Sequence, residues 1–184
     1  YRTIIWVKHK YFLVIDELEA LKKGDFSFHC IWRVLGDVTL SDGTICSDQK
    51  GVKFWLKTPK EYIYKLEEDY ETGKNWKDYP YAKPVVHVLR EVLNVKLNKS
   101  ESAFFFNLMY ITAGNKVFYD VRRIQESCSL IYGHDLAIVG TNFKDKALKI
   151  PSYKKHIVTD AKIFYLSPKL IVIVEGKKLT WRKA

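Results

Sequence analysis

Apolar and polar residues alternate with period two along most of this chain. From Tyr11 to Leu18, Tyr11, Leu13 and Ile15 fall on one face of an extended backbone, and Phe12, Val14 and Asp16 on the other. Phe26, Phe28, Cys30, Trp32 and Val34 likewise share one uniformly apolar face, while Asp25, Ser27, His29, Ile31, Arg33 and Leu35 form a mixed one. Ser102–Thr112 is apolar on both faces, the pattern of a strand buried on two sides. Shorter runs at Val52–Leu56, Lys116–Arg123, Ser127–Tyr132, Asp135–Val139, Asp160–Leu166, Lys169–Glu175 and Leu179–Arg182 are separated by turn residues such as Asp48–Gly51, Ala113–Asn115, Gly133–His134 and Ser167–Pro168. Strands at this spacing predict an all-β protein, an antiparallel two-sheet β-sandwich. Lys116–Arg123 is expected to be the hairpin partner of Ser102–Thr112.

One segment breaks the rhythm. Residues 57–84 are polar and rich in tyrosine. Thr58, Pro59 and Glu61 have the spacing of a helix start and Gly73 that of a stop, so a short helix near 59–72 is expected within a long excursion. No internal repeat or domain boundary is evident, and residues 1–184 are expected to form a single sandwich domain. The chain opens inside a strand-like run, Thr3–Lys8, and closes just after another, which predicts a fragment or C-terminal module of a longer protein.

Composition refines this picture. The apolar content of 47% suits a folded core, and no apolar run approaches the roughly 18 residues of a membrane-spanning helix. The formal net charge is +10, carried mainly by scattered lysines. Scattered lysine is the usual sign of a solvated surface with blunted sheet edges. A polyanionic partner is the sharper alternative. Nucleic acid fits poorly, because there is no dense basic patch and no helix-turn-helix or RNA-binding aromatic motif.

Candidate chemistry is sparse. Cys30, Cys46 and Cys128 lack metal-ligand spacing and read as small buried hydrophobes. No two of the five histidines lie at helical or H-x-H spacing, and the acidic run Glu67–Glu71 lacks the pattern of a calcium loop. His29 and Cys30 point to opposite sides of their strand and cannot form a nucleophilic pair through it. His29 and Arg33 share a face and could contact one anionic group. Trp76, Tyr79 and Tyr81 cluster in the excursion beside Lys77 and Lys83. Exposed aromatics stack on sugars, and Lys or Arg holds their carboxylates or sulfates. Arg122 and Arg123, pointing to opposite faces beside Tyr119, are further ligand candidates. No catalytic residue and no metal ligand is assigned.

The stretch YFLVIDELEALKKGDFSFHCIWRVLGD resembles the C-terminal β-sandwich region of heparinase II/III-like polysaccharide lyases. Tyr11–Asp16 matches an aromatic-hydrophobic-Val-hydrophobic-Asp strand, and Phe26–Leu35 the aromatic-rich strand that follows it. VLREVLNVKLNKSESAFFFNLMY is similar to a family segment in which an apolar strand follows a charged connector. The resemblance runs over about residues 3–141. It implies a sandwich that packs against an α/α toroid carrying most of the machinery for β-elimination from uronic polymers. Some members hold a metal ion in the sandwich through His and Asp; no such pair is evident around His29, so no cofactor is assigned.

The expected function is therefore an accessory, non-catalytic module of a secreted or periplasmic protein acting on acidic polysaccharides. The parent protein would be the lyase, with the upstream toroid as a partner. A free-standing carbohydrate-binding module using exposed aromatics and Lys or Arg is the alternative.

Overall fold

The computed structural model describes residues 1–69, 86–113, 118–133, 136–142, 148–152, 155–176 and 179–183. The described residues are all-β and contain no helix. They divide into two compact units, residues 1–118 and 119–184.

In the first unit the chain runs through β1 (Arg2–Val7), β2 (Tyr11–Glu19), β3 (Gly24–Leu35), β4 (Asp37–Ser41), β5 (Thr44–Gln49), β6 (Val52–Lys57), β7 (Ile63–Asp69), β8 (Val86–Leu97) and β9 (Ser102–Ala113). A six-stranded antiparallel sheet has the order β1-β2-β9-β6-β5-β4, and a three-stranded one the order β3-β8-β7. The two pack face to face. Cys30 of β3 meets Phe105 of β9 and Tyr62, with Leu18, Phe28, Trp32 and Leu93 around them. Leu89 of β8 meets Ile45 and Leu56 of the larger sheet, flanked by Trp32, Leu66 and Met109. The alternation in β3 falls as expected: Cys30 and Val34 are buried, with Phe26, Phe28 and Trp32 partly so, while Ser27, His29, Ile31 and Arg33 are exposed. β9 lies between β2 and β6, and its core positions Phe104 to Leu108 are all buried.

Gly36 is the pivot between the sheets. Its φ of +105° suits glycine, and an added Cβ would lie 2.8 Å from the Asp48 carbonyl oxygen. Just before it, the Leu35 carbonyl accepts from the Gln49 side-chain amide at 2.9 Å and from the Ser47 hydroxyl, which ties the end of β3 to β5.

Three expectations are corrected. The helix near 59–72 is absent over its described part, where Ile63–Asp69 forms β7 along β8. Tyr64 and Leu66 pack inward while Ile63, Lys65 and Glu67 face solvent, a strand alternation. The Thr58 hydroxyl, read as a helix cap, donates instead to the Gly43 carbonyl. Residues 70–72 and the Gly73 stop lie outside the described residues. The hairpin between Ser102–Thr112 and Lys116–Arg123 does not form, because β9 pairs with β2 and β6. The segment taken as a charged connector is the 12-residue strand β8, whose charged positions are Arg90, Glu91 and Lys96.

The second unit contains β10 (Asp120–Gln125), β11 (Cys128–Tyr132), β12 (Ala137–Thr141), β13 (Leu148–Ser152), β14 (Lys155–Thr159), β15 (Ile163–Leu166), β16 (Ile171–Val174) and β17 (Leu179–Lys183). A five-stranded sheet has the order β10-β11-β12-β15-β16, and a three-stranded one the order β13-β14-β17. Ile157 of β14 packs with Cys128, Phe164 and Leu166, so these sheets also share a core.

Candidate functional site

Three features of the first unit bear on function. The first is the outer face of β3-β8-β7. Register sets His29 beside Val92 and Ile63, Ile31 beside Arg90 and Lys65, and Arg33 beside Val88 and Glu67. Arg90 sits at the centre of this face. Its guanidinium donates to His29 Nδ1 at 3.4 Å and to Glu67 Oε2 at 3.4 Å. The other ring nitrogen, His29 Nε2, lies 3.0 Å from Ser27 Oγ. The result is an open, net-cationic surface of His29, Arg33, Lys65 and Arg90, interleaved with exposed Ile31 and Ile63. Such a surface can hold carboxylates or sulfates on a polymer lying across it.

The second feature is a cleft of about 370 Å³ between the edges of the two sheets, lined by Arg2, Asp16, His29, Cys30 and Phe105 among others. At its mouth Arg2 clasps Asp16 with two hydrogen bonds, 2.6 and 2.8 Å, and lies over the Trp32 ring. The Asp16 hydrogen bond raises the Arg2 pKa, burial opposes it, and the Asp16 charge adds to it. Behind the mouth, Cys30 Sγ lies 3.8 Å from Asp16 Oδ2 and 3.8 Å from Asn107 Nδ2. Directly across from Cys30 in the sheet is Glu91. Glu91 is completely buried, and neither carboxyl oxygen has a hydrogen-bond partner; Asn107 Oδ1 and Trp32 Nε1 are also unpartnered.

Burial pushes the Glu91 pKa up to about 8, the Asn107 amide and Trp32 indole dipoles oppose it, and the Asp16 charge adds to it. The interior therefore holds a protonated carboxyl below that pH. Burial, with the Glu91 and Asp16 charges, also pushes the Cys30 thiol up to about 12. A thiol held neutral in this way is a poor nucleophile.

The third feature is a bare floor on the six-stranded sheet. Pairing of Trp6 with Phe12, Phe12 with Met109, and Phe54 with Ile111 places these side chains on the face that also meets β3-β8-β7. Three strands cannot cover six. Beyond their reach Ile4 is 61% exposed, Trp6 62%, Phe12 44%, Val52 44% and Ile111 66%. Trp6 and Phe12 stack at 5.6 Å, and two adjoining clefts of about 310 and 410 Å³ share Phe54 and Ile111.

The candidates read from sequence are dispersed. His29 and Arg33 share the cationic face, where Arg90 and Lys65 join them; neither of the latter was foreseen, because β7 and β8 were not read as strands. Arg122 and Arg123 lie on β10 in the second unit, Arg122 exposed and Arg123 donating to the Gln125 carbonyl at 3.3 Å. Trp76, Tyr79 and Tyr81 lie outside the described residues. Cys30 and Cys128 are buried, Cys46 is partly buried, and all three are free. Among the described residues no group of three or more His, Cys, Asp or Glu could hold a metal ion, and no helix is long and apolar enough to cross a membrane.

Fold and surface together define an all-β protein built from antiparallel sheets packed as sandwiches. No family model matches the chain, and neither a curated protein nor a solved structure matches it.

Proposed function

We propose that the chain is an accessory, non-catalytic β-sandwich module of a heparinase II/III-like protein, secreted or periplasmic, that acts on acidic polysaccharides. In this reading the bare floor seats the α/α toroid of that protein, and the cationic face helps to hold the polymer. The observation that carries it is the floor itself. A run of large apolar side chains, more than two-fifths exposed at Ile4, Trp6, Phe12, Val52 and Ile111, is what a module leaves uncovered where another folded body belongs. The resemblance of Tyr11–Leu35 to the family's sandwich region supplies the class of parent.

The test is to incubate the purified chain with uronate polymers and follow the ultraviolet absorbance of newly formed unsaturated ends. No turnover is expected. Steady formation of unsaturated ends by this chain alone would overturn the accessory role.

The outer face of β3-β8-β7 favours a second reading, a free-standing carbohydrate-binding module. Arg33, Lys65 and Arg90 present cations on an open sheet face, with the His29 imidazole beside them, without help from any other domain. That reading requires saturable binding of an acidic polysaccharide by the isolated chain at moderate salt. Binding only in the presence of a toroid favours the first reading.

A further inference from the structure

The bare floor of the six-stranded sheet has a rim, and the rim is basic. The turn between β1 and β2 reads Lys8, His9, Lys10, and the turn between β5 and β6 holds Lys50. His9 and Lys10 line the cleft of about 310 Å³ beside Trp6 and Phe12, and Lys50 lines the one of about 410 Å³ beside Val52 and Phe54. Among the described residues no carboxylate lines either cleft. Residues 1–15 contain no Asp or Glu. Asp48, the acid nearest to Lys50 in the chain, is engaged elsewhere: it accepts from the Gly51 backbone N–H at 2.9 Å and lies 4.0 Å from Lys53 Nζ.

With the floor read as the seat of another body, three kinds of surface could cover it, and the rim separates them. A second copy would add the same lysines to the same rim, and like charges facing each other oppose association. A bilayer has no fixed protrusions to fill two clefts of this size. A folded partner supplies both parts, apolar side chains for the clefts and carboxylates for the rim.

We propose that the body seated on the floor carries an acidic rim: apolar side chains that enter the two clefts against Trp6, Phe12 and Ile111, ringed by Asp or Glu side chains facing Lys8, Lys10 and Lys50. This rests on the proposed function, in which that body is the α/α toroid. The lysines steer it onto the floor before the apolar centres meet. Steering of this kind shows in the association rate more than in the lifetime of the complex.

The experiment is stopped-flow mixing of the full chain with the separately produced toroid, from about 50 to about 500 mM sodium chloride. The unaltered chain is compared with Lys8→Glu combined with Lys50→Glu, with Lys8→Arg combined with Lys50→Arg, and with Trp6→Lys. Lys8 and Lys50 are exposed, so these variants should keep the fold, which circular dichroism checks. Association of the unaltered chain should slow roughly tenfold or more as salt rises. At low salt the double Glu variant should associate roughly tenfold more slowly and respond less to salt, while the double Arg variant should match the unaltered chain. A complex that Trp6→Lys weakens, but whose association rate ignores both salt and the charge reversal, keeps the floor as the seat and overturns the acidic rim. A toroid that never binds, or that binds regardless of Trp6, defeats the seat itself and the rim with it. Dimerisation in sedimentation velocity, or binding to phosphatidylserine vesicles, that Trp6→Lys abolishes also overturns the proposal, because a second copy or a bilayer would then be the occupant.

Discussion

Replacing Glu91 by glutamine should make the protein more stable, and only above a certain pH. Glu91 is fully buried between the sheets with both carboxyl oxygens unpartnered. Its carboxyl has an ordinary midpoint of 4.5 and is raised to about 8 in the fold. Below 4.5 the group is protonated whether the chain is folded or not, and it adds no pH dependence. Between 4.5 and about 8 the unfolded chain has released the proton and the folded chain keeps it. The unfolded state then binds fewer protons, so stability falls as pH rises. Above about 8 both states are ionised and the loss levels off. Moving a midpoint that far corresponds to a loss on the order of 5 kcal/mol at the high-pH plateau. Glutamine keeps the shape without the charge, and its side-chain oxygen remains an acceptor on the side of the Asn107 amide. Urea denaturation of the parent and Glu91→Gln across this range isolates Glu91 together with the groups coupled to it, Asp16 and Cys30, since more distant groups cancel in the difference. The two should be nearly equal at the acid end and separate by several kcal/mol at the alkaline end. A difference that stays constant with pH would refute the buried, proton-holding carboxyl.

Other outcomes follow from the same geometry. Asp16→Asn should cost about 1–2 kcal/mol through the lost charge-assisted bonds to Arg2, and should also move the upper end of the pH window below about 8, because the Asp16 charge helps to raise the Glu91 pKa; the same denaturation series reads both. Gly36→Ala should destabilise by about 1–3 kcal/mol, with a positive φ and the Asp48 carbonyl oxygen in the way, read as a lower urea midpoint at unchanged slope. Arg33→Ala combined with Arg90→Ala should leave folding nearly intact and weaken binding of a sulfated or uronate polymer, measured by affinity electrophoresis; unchanged retardation would remove the cationic face from the account.

The sheet architecture was legible where one face of a strand is dry. Phe26, Phe28, Cys30, Trp32 and Val34 declare a core face by alternation alone, and the structure places them inward. Legibility failed where local chemistry imitated something else. Thr58, Pro59 and Glu61 have a helix-start spacing, but the hairpin with β8 offers Tyr64 and Leu66 a core, and long-range burial outweighs a local cap. β8 was obscured by Arg90, Glu91 and Lys96, of which Glu91 points inward against the usual rule for carboxylates. β9 is followed by a turn-like pattern at Ala113–Asn115 yet takes its neighbours from β2 and β6, since strand order is set by contacts that sequence spacing does not encode. Arg90 completes the His29–Arg33 face from another strand, so that site could be read only in part. An accessory module is expected to leave a one-sided apolar patch, but its place at Ile4, Trp6, Phe12, Val52 and Ile111 could not be read, because it arises from the mismatch between a six-stranded and a three-stranded sheet.

The most direct test of the proposed function is a calorimetric titration of this chain with the α/α toroid which that proposal assigns to a parent protein, produced separately. A one-to-one complex is expected, which Trp6→Lys or Ile111→Lys weakens roughly tenfold or more with the fold of each variant unchanged. A parent protein that contains no such domain, or a complex indifferent to both substitutions, would contradict it.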